Sequence, residues 1–288
     1  MHTACLERRN DMILPSTFIF KGGIEGETSM EHIIDVLKKS NINFFEAGFT
    51  QSGAISMEST PASLENVLKL LKQNKMKIMA MSTTLLSGQE FWTLSGTLNM
   101  QVVQIVKKMI DVASFLEIPY ISMHCSDEKN MQFVGYKEAV QNEMNFFTAL
   151  SDYAQKRDVI ICLENSISGI LCYPNDVLSF IEKINSPALK VCLDTGNSIY
   201  SGMPERWISC LKDRIQIVHF SDVKIRRLRG IITEFVEPGK GLIDFQKVYK
   251  QLMDHGFAGW VVLESFGRAN QDDQEVVATL LDRFQYIK

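Results

Sequence analysis

The sequence alternates eight times between a short apolar run and an amphipathic stretch, with no linker or low-complexity tract between the repeats. Short runs rich in β-branched and aromatic residues are typical of buried strands, whereas apolar residues with a helical period are typical of helices packed on one face. Strict alternation of the two predicts a parallel α/β fold, because parallel strands need crossover connections. Eight units favour a closed (β/α)8 TIM barrel. We therefore expect one such domain over residues 1–288.

The predicted elements follow a regular strand-then-helix order. The predicted strands are 17–21, 44–49, 77–82, 120–124, 159–164, 190–194, 215–219 and 260–264, and the predicted helices are 30–39, 61–73, 100–115, 136–155, 175–184, 205–211, 244–255 and 272–286. Thr60 is the expected N-cap of the second helix, since Pro61 follows it. We expect a charged loop over 224–241. An open doubly wound sheet is the alternative, but the glycines at 22–26 lack the dinucleotide-binding spacing that would favour it.

The composition predicts a soluble cytoplasmic protein. Lys and Arg number 30 against 34 acidic residues, so the net charge of -4 gives no basic field that would attract nucleic acid. Residues 1–15 lack the apolar core of a signal peptide, and no run approaches the roughly 18 apolar residues of a membrane span. The six cysteines form no CxxC pair, as expected for reduced thiols. We expect no nucleic-acid or membrane partner, and a homo-oligomer is compatible with this composition.

Four consecutive predicted strands, the fifth to the eighth, end in a residue that can bind a metal ion. These residues are Glu164, Asp194, His219 and Glu264. The carboxyl ends of the strands meet at one mouth of a barrel, where active sites of this fold lie. Each candidate shares a strand face with a small or apolar residue two positions earlier, so all four can point inward. Three carboxylates and one imidazole suit one divalent ion, Mn²⁺, Mg²⁺ or Co²⁺, and Zn²⁺ is compatible.

Each of these residues also has a simpler structural interpretation. A carboxylate at a strand end commonly caps the next turn, as Asp194 can do. A buried histidine such as His219 commonly forms a hydrogen bond with the backbone. The repetition of the same placement on four strands is what favours a metal site.

Other polar and aromatic residues are predicted to complete the mouth. Glu46 and His124 hold similar end positions on strands two and four and are candidates for substrate contacts. Trp92, in the loop after strand three, either lines the mouth or packs under its own loop. Lys224 and Arg226 follow strand seven, where barrels often place a phosphate site, although a solvated loop explains them at least as well.

Five motifs follow the ends of the predicted strands. They are Leu163-Glu164-Asn165, Leu193-Asp194-Thr195-Gly196-Asn197, Val218-His219-Phe220-Ser221-Asp222, Pro238-Gly239-Lys240-Gly241-Leu242-Ile243-Asp244-Phe245 and Leu263-Glu264-Ser265. Together they resemble the sugar phosphate isomerase/epimerase superfamily of xylose isomerase-like TIM barrels. The resemblance implies one divalent metal ion held by Glu164, Asp194, His219 and Glu264, with the two glutamates also exchanging protons with a small carbohydrate substrate.

The chemistry expected of such a site is proton abstraction next to a carbonyl, through an enediolate that a divalent ion stabilises. Glu164 and Glu264 on opposite sides of the substrate would take and return the proton, which gives epimerisation or isomerisation. A keto-sugar or keto-inositol dehydratase of the same superfamily would begin with the same step. An apurinic endonuclease needs more histidines than this chain places at strand ends, and a sugar-binding barrel without activity would not need an intact ligand set.

The sequence departs from the 3-epimerase branch of that superfamily at three positions. The branch usually has His where Asn197 stands, Arg where Ile225 stands and Glu where Asp222 stands. Because the first two normally contact substrate, the resemblance implies that the substrate differs from those of the branch. We expect Asn197 and Asp222 to contact it here.

Overall fold

The computed structural model describes residues 12–126, 130, 133–167, 169–227, 231–265 and 271–287, except the side chains of 226–227 and 231–233. The strands are β1 (Ile13–Pro15), β2 (Phe44–Phe49), β3 (Lys77–Thr83), β4 (Tyr120–Met123), β5 (Ile160–Glu164), β6 (Leu189–Asp194), β7 (Ile215–Phe220), β8 (Asp222–Arg227), β9 (Ile231–Val236) and β10 (Trp260–Leu263). All except β8 and β9 form one parallel sheet, in the order β1-β10-β7-β6-β5-β4-β3-β2. A parallel bridge between Ser16 and Glu46 joins the two ends, so the predicted TIM barrel is confirmed as a nearly closed barrel.

Helices connect the barrel strands. They are α1 (Met30–Lys39), α2 (Pro61–Asn74), α3 (Met100–Phe115), α4 (Tyr136–Gln155), α5 (Pro174–Ile184), α6 (Thr195–Ser198), α7 (Pro204–Leu211), α8 (Phe245–Asp254) and α9 (Asp273–Phe284). The predicted helices are confirmed to within a few residues. Thr60 caps α2 by accepting a hydrogen bond from the Ser63 amide, and Pro61 occupies the first turn, as predicted. None of the helices in the described ranges combines the length and the apolar character of a membrane span.

The barrel interior is filled by a layer of small and apolar side chains from alternate positions on the strands. Its fully buried members are Leu14, Ala80, Cys162, Cys192, Ile217 and Val262. Because side chains alternate along a strand, the residues two positions further on point to the same interior, one layer closer to the carboxyl end. The apolar layer therefore supports the polar residues at the mouth from below.

Two predicted elements are wrong. The first strand is Ile13–Pro15, and the apolar run at 17–21 begins instead with a buried 3₁₀ turn, Thr17–Ile19, capped by Ser16. That run is apolar because it packs at the mouth, not because it pairs with a neighbour. The charged segment predicted as a loop contains the antiparallel hairpin of β8 and β9. The sequence feature that indicates this hairpin is the alternation of Val223 and Ile225 with charged residues, which has the period of a strand.

The loop between β3 and α3 is attached to the core through a buried carboxyl group. Trp92 is fully buried and donates its indole N–H to Oε1 of Glu143 over 3.1 Å. The Ser126 amide donates to the same oxygen over 3.0 Å. Burial raises the pKa of Glu143 from 4.5 to about 8, more than these hydrogen bonds lower it. Trp92 therefore packs under its own loop.

The raised pKa of Glu143 predicts a pH dependence of stability. The folded state holds this proton more tightly than the unfolded chain, so the stabilisation is complete below pH 4.5 and is lost as the pH rises through about 8. E143Q keeps an acceptor for Trp92 but cannot ionise. Denaturant midpoints at pH 5 and pH 9 should therefore fall more for the wild type than for E143Q, and parallel losses would contradict the neutral buried acid.

Candidate metal centre

The four predicted ligands come together at the carboxyl ends of neighbouring strands. Glu164 ends β5, Asp194 ends β6, His219 lies near the end of β7 and Glu264 directly follows β10. Asp194 pairs in register with His219, and the Glu264 amide donates to the carbonyl oxygen of the residue after His219. One potential ligand atom from each residue lies within 4.8 Å of the others. This spacing is compact enough for one ion to contact all four.

The four residues differ in their access to solvent. Asp194 is 2% exposed and His219 is 0% exposed. The side chains of Glu164 and Glu264 are each 16% exposed. Both glutamates line a cavity of about 420 Å³ at the mouth of the barrel. Asp194 lines the same cavity but is nearly covered, so the two glutamates are the more accessible members of this set.

The imidazole of His219 lies between one carboxylate at its Nε2 and two carboxylates at its Nδ1. Its Nε2 is 3.1 Å from Oε2 of Glu46. Its Nδ1 is 3.6 Å from Oε1 of Glu164 and 3.5 Å from Oε2 of Glu264. Nδ1 is buried and has no hydrogen-bond partner. A buried nitrogen without a partner that faces carboxylates is suited to bind a cation, so the side chains fit a metal ion.

The electrostatics of the cluster also favour a cation. Burial and the charge of Glu164 raise the pKa of Asp194 from 3.8 to about 6. Burial raises the pKa of Glu264 well above its ordinary value, although the nearby His219 opposes the shift. Burial lowers the pKa of His219, but the surrounding acidic groups outweigh it and raise that pKa. The mouth therefore holds more negative charge than its single imidazole can balance.

Cys192 lies directly below this set. Its sulfur is within 4.8 Å of potential ligand atoms of Glu164 and His219. Burial raises the pKa of the Cys192 thiol well above 9.0, and a thiol binds metals as the thiolate. The oxygen-rich set with Asp194 and Glu264 is therefore the better site for a divalent ion.

Neighbouring side chains fix the position of Asp194. The Ser221 hydroxyl lies 2.7 Å from both carboxylate oxygens of Asp194, and the Asn197 amide donates to Oδ1. The side chain of Asn165 bonds to the backbone N–H and C=O of Asp194. Asp194 thus also caps the turn α6, which is the structural role that the sequence offered for it. The supporting roles of Asn165 and Ser221 were missed, although both residues lie in motifs beside the ligands.

Two of the predicted substrate contacts lie at the cavity. His124 and Asn197 both line it. Nδ1 of His124 is 2.9 Å from the carbonyl oxygen of Cys125, which can only accept, so Nδ1 carries the proton and a neutral ring has its lone pair on Nε2. The side-chain amide of Asn197 donates to the backbone carbonyl of Asn165. Sequence reasoning missed further residues of the cavity wall, which include Phe18, Ser82, Thr83, Thr84, Ser87, Phe235, Val236, Glu237 and Ser265.

The other predicted substrate contacts do not line this cavity. Glu46 is fully buried and contacts His219. Trp92 is fully buried and contacts Glu143. Asp222 is also buried, and Lys224 lies exposed on the hairpin. The structure therefore places these residues outside the lining of this cavity.

Asp222 has a structural role that its position in the sequence did not reveal. Its carboxylate accepts hydrogen bonds from the backbone amides of Val223, Gly239, Gly241 and Ile243. It therefore holds the turn before α8 against the hairpin. The side chain of Arg226 lies outside the described residues, and none of the described cavity-lining residues is Lys or Arg.

The raised pKa of Asp194 predicts that metal binding releases protons. An ion must displace the protons that Asp194, Glu264 and His219 hold without it, so affinity should fall as the pH is lowered, with the Asp194 contribution falling through about 6. Titration calorimetry with Mn²⁺ at pH 5.5, 6.5 and 7.5, in buffers with different ionisation enthalpies, measures both effects. An affinity that does not change with pH would contradict this electrostatic description.

Comparisons with known proteins agree with this architecture. The chain is 27% identical over 144 residues to an inosose dehydratase of Serratia proteamaculans, and 27% identical over 169 residues to one of Yersinia enterocolitica. These matches cover 44% and 49% of this chain and 48% and 56% of the relatives. The chain thus spans about half the length of the curated relatives it matches.

The solved structures share the fold at low sequence identity. A D-psicose 3-epimerase from Clostridium cellulolyticum H10 superposes with a TM-score of 0.76 at 14% identity, covering 96% of this chain and 99% of that one. The IOLI protein, solved with a bound zinc atom, gives 0.74 at 17% identity, covering 96% and 97%. The family described as xylose isomerase-like TIM barrel matches residues 34–285. The chain therefore belongs to the xylose isomerase-like TIM barrel family, as the five motifs predicted.

Proposed function

We propose that this chain is a divalent-metal-dependent isomerase or epimerase that removes a proton next to the carbonyl of a small polyhydroxylated substrate, through an enediolate. The difference in exposure within the ligand set carries this proposal. Glu164, which ends β5, and Glu264, which directly follows β10, are the exposed members at the cavity, whereas Asp194 is nearly covered at its wall and His219 is fully buried. Two carboxylates that reach one cavity from separate strands can serve as base and acid on a molecule between them.

The ligand set would hold one divalent ion, which supplies a Lewis acid for the carbonyl and hydroxyl oxygens of the substrate. Its three carboxylates suit Mn²⁺, Mg²⁺ or Co²⁺, and zinc is supported by the bound zinc atom of the IOLI protein. The fixed carboxylate of Asp194 and the buried ring of His219 would act as ligands only. The carboxylate of Asp194, although at the cavity wall, is already bound by the Ser221 hydroxyl and the Asn197 amide, and His219 is fully buried.

The protein's own side chains would move the proton and orient the substrate. Glu164 would remove a proton from one face of the carbon, and Glu264 would return one to the other face, or the reverse for the opposite epimer. In its neutral form, His124 can accept a hydrogen bond from a substrate hydroxyl at Nε2. Serine and threonine hydroxyls of the cavity wall can bind further hydroxyls, and Phe18 and Phe235 provide apolar surface for the C–H faces of a sugar.

A dehydratase is the second candidate, and the inosose dehydratase relatives favour it. Dehydration begins with the same proton abstraction, but the enediolate then expels a hydroxyl at the neighbouring carbon. A proton donor must lie beside that hydroxyl. His124, in its protonated form, is a second cavity-lining group that can supply the proton. The two candidates thus differ in the fate of one intermediate.

Isotope exchange tests the proposed function and separates the two candidates. Mn²⁺-loaded protein is incubated in D2O with ketoses, ketose phosphates and keto-inositols, and the products are analysed by NMR and mass spectrometry. An isomerase or epimerase should place deuterium on a carbon at or next to the carbonyl without loss of water. A dehydratase should release one water. No exchange and no loss of water with any substrate would contradict both.

Replacement of either cavity-facing glutamate should remove the proton exchange. At saturating Mn²⁺, E164Q and E264Q should each lower the exchange rate by at least about 100-fold, because general acid-base groups contribute factors of that order. E143Q is a matched control, since Glu143 is a buried acid that is not among the residues lining the cavity. Metal occupancy is measured in parallel by calorimetry. An exchange rate in E264Q equal to that of the wild type would exclude the proposed role of Glu264.

A further inference from the structure

Glu46 lies inside the barrel at the seam where the sheet closes. It belongs to β2, and its backbone forms the bridge to Ser16 that joins the two ends of the barrel. Its side chain is fully buried and reaches His219, which is 173 positions away in the sequence. The contact therefore connects the barrel seam with the metal centre.

Both carboxylate oxygens of Glu46 are bound to groups that can donate a proton. Oε2 is 3.1 Å from Nε2 of His219. Oε1 accepts a hydrogen bond from the Ser82 hydroxyl over 2.9 Å. A buried carboxylate with a partner at each oxygen is held in one orientation. Ser82 thus fixes Glu46, and Glu46 in turn faces the imidazole.

This contact determines which nitrogen of His219 can bind an ion. A carboxylate only accepts hydrogen bonds, so Nε2 must carry the ring proton that Glu46 accepts. In the neutral ring the lone pair then belongs to Nδ1. Nδ1 is the nitrogen that faces Glu164 and Glu264 and has no hydrogen-bond partner.

We propose that Glu46 is a positioning residue of the metal centre, which holds His219 in the tautomer and orientation that direct Nδ1 at the ion, with Ser82 fixing Glu46 in turn. Histidine ligands usually donate their second N–H to such an acceptor, which makes the ring a better donor to the metal. The inference rests on the metal-binding part of the proposed function and is independent of the reaction catalysed.

A purely structural role would not explain the choice of this side chain. A buried carboxylate costs free energy unless a cation or several hydrogen bonds compensate for it. An apolar side chain at position 46 would fill the seam without that cost. The acid is useful here because an imidazole bound to an ion would carry positive charge toward it.

Metal affinity of matched variants tests the proposal. Dissociation constants for Mn²⁺ and Zn²⁺ are measured by calorimetry for the wild type, E46L, E46Q, S82A and S122A. E46L should bind about 10- to 100-fold more weakly, the usual loss when the partner of a histidine ligand is removed. E46Q keeps an acceptor without the charge and should lose less, as should S82A. Ser122 is a buried serine whose hydroxyl has no partner, so S122A should bind like the wild type.

A spectroscopic readout separates positioning from general loss of structure. In the zinc-loaded wild type, ¹⁵N–¹H NMR of the histidine rings should show a slowly exchanging Nε2–H for His219. That signal should disappear or exchange rapidly in E46L and persist in S122A. If E46L does not fold, E46Q and S82A decide the matter with the same two measurements.

The outcomes distinguish this inference from the metal centre itself. If the wild type binds neither ion, the metal centre is wrong and the role of Glu46 falls with it. If the wild type binds but E46Q, S82A and S122A have equal affinities and an unchanged Nε2–H signal, the metal centre stands and the positioning role is wrong. Weaker binding in E46Q and S82A, with S122A unchanged, supports the proposal whatever reaction the enzyme catalyses.

Discussion

The imidazole of His219 is the group on which the rest of the mouth depends. One of its nitrogens faces Glu46, and the other faces the two glutamates that reach the cavity. It is fully buried, so water cannot satisfy either nitrogen. The ring therefore links a structural carboxylate at the barrel seam to the carboxylates that would contact an ion. Its position is fixed by parallel pairing of β7 with β6 and β10.

The barrel makes this concentration of acidic groups tolerable. A packed layer with Cys162, Cys192 and Ile217 closes the interior below the site, so the carboxylates lie at the boundary between an apolar core and an open cavity. Burial raises the pKa of Asp194 and Glu264, because a bare negative charge is unfavourable there. A cation bound to these carboxylates would remove that cost. Proton abstraction beside a carbonyl, the reaction proposed for this site, would use that preference.

Hydrophobic periodicity predicted most of the fold because parallel strands and amphipathic helices have distinct apolar patterns. The bounds of β2, α1, α3 and α4 are the predicted ones. The prediction of the first strand was wrong because burial alone makes a run apolar, and the residues at 17–20 are buried without pairing. The hairpin of β8 and β9 was missed because its charges dominate its composition. Trp92 was undecided in the sequence, since an aromatic residue in a loop packs inward or outward according to partners such as Glu143, which is distant in the chain.

The sequence by itself determined the family through its five motifs. It also named Glu164, Asp194, His219 and Glu264 as candidate ligands through the repetition of a polar residue at four strand ends. Only the tertiary structure decided which polar residues reach the cavity and which support it. Glu46 and Asp222 look like site residues in the sequence, yet one contacts His219 from behind and the other binds backbone amides. The physical reason is that a strand-end position fixes the direction of a side chain, whereas its partners come from segments that only folding brings together.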